Sequence, residues 1–311
     1  MSMPDSVKHL SEKYHQLKTV SFFKRDELTG IKIQNSCAEA ELFIQGAHLT
    51  HYMVSEKYPL IWCSREAKFQ KNSAIRGGIP LCWPWFGDLT KNPDSVQASM
   101  ALGASSAHGF VRHLDWVLTE ISEPSSSETI VKMALSSSDY TQQFFPHAFQ
   151  LIIEFSISDQ LVINFSVVNT SKGSFSYTSA LHSYFAIGDI TQCSVTGFED
   201  GLYIDALDNW QQKKQMGVVS INGEVDRIYL DAPDRCSIHS TQQNRVIRLE
   251  TSGSRSTVIW NPWVEKSKRL SDFDNIEYQQ MLCIETANAL QDFVSLAAGE
   301  MSKLTLTVSE L

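Results

Sequence analysis

The chain has 311 residues, of which 42% are hydrophobic, 10% aromatic and 20% charged, a balance that permits an ample core and argues against disorder. Its formal net charge of -9 speaks against a nucleic-acid surface, which needs clustered Lys and Arg in excess, so any bound anion should be small and met by local cations. Six scattered cysteines (Cys37, Cys63, Cys82, Cys193, Cys236 and Cys283) lack C-x-x-C spacing and read as reduced, packed thiols. With no apolar leader and no membrane-spanning run, the expectation is a cytoplasmic protein without membrane, nucleic-acid or obligate protein partners.

In chain order, a polar amphipathic stretch near Asp5 to Leu17 predicts a short N-terminal helix within an extension over 1–18. The segment from Ile75 to Gly87 then packs three glycines, two prolines and three aromatics around Arg76. Trp83, Trp85 and Phe86 could form an apolar wall for a sugar face, and a rigid core-facing loop is an equal alternative. Asp88 to Ser106 reads as an exposed loop. His108 and Arg112 follow in Ala107-His108-Gly109-Phe110-Val111-Arg112, and the planar forks of Arg76 and Arg112 suit a small dianion or, taken singly, surface ion pairs.

Beyond a Ser-rich piece expected to be a loop (Ser122 to Glu128), the rhythm is two. Ile130 to Leu135, Phe149 to Ile157, Leu161 to Val167, Val246 to Thr251 and Lys303 to Ser309 alternate apolar with polar residues. Ser158-Asp159-Gln160 joins two of these runs as a hairpin turn. Pro262 suits a helix start, and Lys266 after it belongs to a basic turn most simply read as solvated. No βαβ alternation, repeat or dividing linker is visible, so the expected architecture is one all-β domain over 1–311, a large antiparallel β-sandwich with few short helices.

Two apolar runs, Leu181 to Phe185 and Cys283 to Asn288, each contain one ionisable side chain, His182 and Glu285. A buried ionisable group is paired or used, and a histidine with a glutamate can serve as acid and base. Each alone is more simply a satisfied core residue. His108, His182 and Glu285 would also make a zinc set, but no H-x-H, H-E-x-x-H or C-x-x-C spacing supports one.

The segments IRGGIPLCWPWFG, AHGFVR, LHSYF, VDRIY, VIWNPW and CIETAN, in this order, resemble the hexose-6-phosphate mutarotase (glucose-6-phosphate 1-epimerase) branch of the aldose 1-epimerase superfamily. The resemblance implies a galactose-mutarotase-like β-supersandwich without cofactor or metal, interconverting the anomers of aldohexose 6-phosphates, glucose 6-phosphate foremost. It implies His182 as acid, Glu285 as base, Asp226 and His108 as substrate contacts, and Arg76 and Arg112 at the phosphate. Ala107 departs from related sequences that have glutamine there. A non-catalytic sugar-phosphate-binding protein on the same fold is the alternative, and glycoside hydrolysis by Glu285 with Asp226 is a more remote one.

Overall fold

The computed structural model describes residues 6–104 and 106–311, and within them antiparallel strands dominate. The alternating runs pair into a nine-stranded sheet. Its order is Val219–Ser220, Cys193–Thr196, Arg235–Ser240, Arg245–Ser252, Met301–Glu310, Gln160–Asn169, Phe149–Ile157, Glu128–Ser136 and Val117–Ser125. Alternation puts Phe149, Leu151, Ile153, Phe155 and Ile157 inside and leaves their neighbours partly or fully exposed. The predicted hairpin forms between Phe149–Ile157 and Gln160–Asn169, with Ile157 opposite Leu161.

A second sheet faces this one, ordered Gln211–Lys214, Leu202–Asp205, Val225–Leu230, Ser256–Asn261, Met281–Asn288, Ser179–Leu181 and Leu81–Cys82, with Tyr184–Ala186 also paired to Met281–Asn288. Its central strands, Ser256–Asn261 and Met281–Asn288, are buried at every residue. That double burial explains the unbroken apolar runs Val258 to Trp260 and Met281 to Ile284 within them. One face, with Ile259, Leu282 and Ile284, joins the large core between the sheets. The other carries a separate cluster with Tyr184, Ile228, Val258, Trp260 and Cys283. An N-terminal meander (Val20–Arg25, Leu28–Gln34, Ala38–Phe43, His48–Val54) and a pair, Phe175–Tyr177 with Val294–Leu296, complete the sheets.

Helices are short, as expected. Val7–Lys13 starts at Ser6, whose side chain accepts from the His9 amide; Asp5, included in the sequence expectation, lies outside the described residues. Pro262 precedes Trp263–Ser267. Two loop expectations are corrected. Ser122 to Ser125 continue the strand Val117–Ser125, because the turn needs only the residues before Glu128. Asp88 to Ser106 contains the turn Leu89–Lys91 and the helix Asp94–Gln97, which docks through buried Val96. Among the described residues, no helix is long and apolar enough to cross a membrane.

Candidate active site

Register builds the site on the face turned away from the main core. Directly opposed residues on neighbouring strands share a face. Asp226 pairs with Trp260, Trp260 with Cys283, and Cys283 with Tyr184, forming one rank across the sheet. Ile228, Val258 and Glu285 form the next. Between the strands Ser179–Leu181 and Tyr184–Ala186, the His182 amide donates to the Pro80 carbonyl at 3.0 Å, which fixes the imidazole over the Met281–Asn288 strand.

His182 and Glu285 thereby meet, with Nε2 3.3 Å from Oε1. The Tyr184 ring stacks on the imidazole at 4.8 Å and 11°, and Trp260 stands edge-on at 6.1 Å. Burial, with the added charge of Asp226, pushes the Glu285 carboxyl well above its usual range. Burial, with His108, Arg112 and Arg76 nearby, pushes His182 well below its own. Both effects favour neutral forms, and the short contact lets the pair hold one proton between carboxyl and imidazole.

A cavity of about 300 Å³ opens above this pair. Arg76, His108, Asp226 and Lys266 stand on its walls with His182 and Glu285, and Tyr184, Trp260, Phe86 and Trp210 supply apolar surface. His108 is reached through a tight turn with φ of 63° at His108 and 67° at Gly109. The Gly87 amide donates to His108 Nδ1 at 3.3 Å, so the neutral ring carries its proton on Nε2. Burial and the Arg112 and Arg76 charges push its pKa down to about 3, which keeps it neutral. Asp226 is raised to about 6, chiefly by burial, against the pull of Lys266. Lys266 Nζ lies 3.3 Å from Glu224 and 3.9 Å from Asp226, with its charge 5.7 Å from the Trp260 ring centre.

Five of the six residues anticipated from sequence therefore line one cavity. Arg112 stands outside its wall: its Nη2 donates to the Ala107 carbonyl at 2.9 Å, and it reaches the site as a charge acting on His108 and His182. The expected aromatic wall is also corrected. Trp83 and Trp85 are fully buried in the main core, Trp83 against Phe145, Phe149 and Tyr177, and only Phe86 of that trio faces the cavity. Tyr184 and Trp260 take that role. Both pair with Cys283, two residues before Glu285, and that cross-strand register, which no local pattern shows, brings them there. Lys266 lines the cavity instead of lying in a purely solvated turn, because the Trp263–Ser267 helix follows directly from the strand bearing Trp260.

The aldose 1-epimerase family model matches residues 30–309. An Escherichia coli (strain K12) protein named "Putative glucose-6-phosphate 1-epimerase" is 32% identical over 266 residues, covering 86% of this chain and 85% of its own. A Cenchrus ciliaris protein of the same name is 30% identical, covering 91% and 84%. Among solved structures, a "putative mutarotase (YeaD)" from Salmonella typhimurium superposes with a TM-score of 0.85 at 28% identity, over 97% of this chain and 99% of that one. The fold alone is shared with a galactose mutarotase-like protein from Clostridium acetobutylicum, at a TM-score of 0.71 and 15% identity.

Proposed function

Because the chain belongs to the aldose 1-epimerase family, we propose that it interconverts the α and β anomers of aldohexose 6-phosphates, with glucose 6-phosphate the leading substrate. The observation that carries this reading is the His182–Glu285 contact of 3.3 Å beneath a cavity walled by Arg76. A pyranose opens when the C1 hydroxyl loses a proton and the ring oxygen gains one. Both oxygens sit on the same carbon, so an acid and a base in contact with each other can address them together. Glu285 as carboxylate takes the hydroxyl proton, and His182 as imidazolium protonates the ring oxygen. Rotation about C1–C2 exposes the other carbonyl face, and reclosure reverses the roles.

The step needs the shared proton on the imidazole, the charged arrangement that burial opposes. Arg76 is one of the charges that oppose it, acting on His182. A substrate phosphate paired with Arg76 neutralises that charge, so the anchor also readies the acid. Lys266 is the second cation on the wall and Arg112 adds charge from behind. Asp226 accepts from a sugar hydroxyl, and His108 donates through Nε2.

Exchange NMR of glucose 6-phosphate anomers tests the roles. Glu285→Gln and His182→Asn should each lower the catalysed rate by about 10² to 10⁴-fold, and an unchanged rate in either removes that residue from the mechanism. Arg76→Ala should weaken the phosphorylated sugar by about 10 to 100-fold, the worth of a charge-assisted bond, while sparing free glucose. Equal losses for both sugars would show that Arg76 does not read the phosphate.

A further inference from the structure

The strand Met281–Asn288 carries more chemistry than this reaction uses. Residues two apart on a strand share a face, so Cys283 projects beside Glu285. One ligand atom each from His182, Cys283 and Glu285 lies within 4.8 Å of the other two, and all three residues are buried. The 3.3 Å between His182 Nε2 and Glu285 Oε1 is already the spacing of two ligands around a tetrahedral ion with bonds of about 2 Å. Glu285 Oε2, buried and without a hydrogen-bond partner, is an acceptor that a ligand would satisfy. The sulfur decides the class of ion: thiolate with imidazole and carboxylate suits zinc or cadmium, whereas magnesium and calcium take oxygen cages. The zinc set weighed from sequence placed His108 third; the strand register brings Cys283 there instead.

We propose that His182, Cys283 and Glu285 form an inhibitory site for a soft divalent cation of the zinc class, bound in place of the proton that the acid–base pair shares. Binding exchanges one metal ion for two protons, one from the Cys283 thiol and one from between His182 and Glu285, with no change of oxidation state. Three protein ligands leave a fourth position open toward the cavity. The ion occupies the lone pairs that acid and base need, so it blocks anomer exchange. The inhibition rests on the function proposed above; the binding does not.

The test uses the full-length protein, stripped with chelator and titrated with Co²⁺ under reducing conditions, with the thiolate-to-cobalt charge-transfer band as readout. The band should appear in the wild type, persist when the partly exposed Cys37 and Cys63 are both changed to Ser, and vanish in Cys283→Ser and Cys283→Ala, whose folding is checked by thermal unfolding. Zn²⁺ should abolish the band and slow glucose 6-phosphate anomer exchange, and Cys283→Ser should need at least about 10-fold more Zn²⁺ for the same inhibition. No band in the wild type, or a band that survives loss of Cys283, overturns the site. A band with exchange undiminished by Zn²⁺ overturns the inhibitory role. A band in a protein that never accelerates exchange supports the metal site and sinks the mutarotase reading.

Discussion

Glu285 and Asp226 show how burial, more than neighbouring charge, prepares carboxyl groups for different work. Glu285 is 1% exposed and its protonation is bound up with His182, whereas Asp226 keeps about a quarter of its side chain exposed, at 27%, beside Lys266. Its pKa of about 6 lies above the 3.8 of a free aspartate. The folded state therefore holds the Asp226 proton more tightly than the unfolded chain does. This contribution to stability is complete below about pH 4 and is lost as pH rises through about 6, leaving charged Asp226 a net cost of about 2 to 3 kcal/mol at neutral pH. Asp226→Asn should unfold at a higher temperature than the wild type at pH 7 and at nearly the same temperature at pH 4, while losing sugar affinity. A gap of equal size at both pH values would show that Asp226 ionisation is not the cause. Lys266 keeps its nearer partner, Glu224, in that variant.

At the scale of elements, the segment from Arg76 to Gly87 holds one cation of the site on backbone that only glycine accommodates. Gly77 and Gly78 have φ of 105° and 71°, and the Gly77 carbonyl accepts from buried His48 at 2.8 Å. A Cβ on Gly78 would stand 2.4 Å from the Leu49 carbonyl oxygen and 2.5 Å from His48 Nε2. Gly78→Ala should therefore destabilise by about 2 to 4 kcal/mol, combining left-handed backbone strain with overpacking, and should weaken the phosphorylated sugar as Arg76 shifts. Gly87 has a similar φ of 67° but nothing within 4 Å of its would-be Cβ, so Gly87→Ala should cost only about 1 kcal/mol. Denaturant unfolding of the two variants separates packing from backbone strain; equal costs would mean that the contact with His48 and Leu49 constrains nothing. The same segment shows a limit of sequence reading. Its proline and aromatic density marked it as rigid, but which ring faced the cavity and which the core depended on strands that pair from elsewhere: Cys82 opposite Ala180, Trp83 bridged to Gly109.

At the scale of the molecule, the C-terminal strand Met301–Glu310 lies inside the nine-stranded sheet, between Arg245–Ser252 and Gln160–Asn169, and buries Leu304, Leu306 and Val308. Removing residues 301–311 would open two strand edges and expose the main core, so the truncated chain should be insoluble or lack a cooperative unfolding transition. Leu306→Ala, which keeps the strand and creates one cavity, should cost about 2 to 5 kcal/mol and remain folded. A soluble, cooperative truncated protein would show that the sheet closes without its middle strand.

Period-two alternation depends only on neighbouring residues, so the hairpin at Ser158, the strands Glu128–Ser136, Arg245–Ser252 and Met301–Glu310, and the all-β class were legible in the sequence. His182 and Glu285 stood out because a charge in an apolar run is locally anomalous. Motif order brought Arg76, His108 and Asp226 to the same group by resemblance. Tertiary structure decided what no local pattern encodes. The register of Met281–Asn288 against its neighbours set Cys283, Tyr184 and Trp260 beside the pair. The bond from Arg112 to Ala107 took that guanidinium off the cavity wall, and the short helix after Trp260 brought Lys266 onto it. Local alternation assigns a side chain to a face, but which charges then stand within a few ångströms of one another depends on strands joined across a hundred residues of chain.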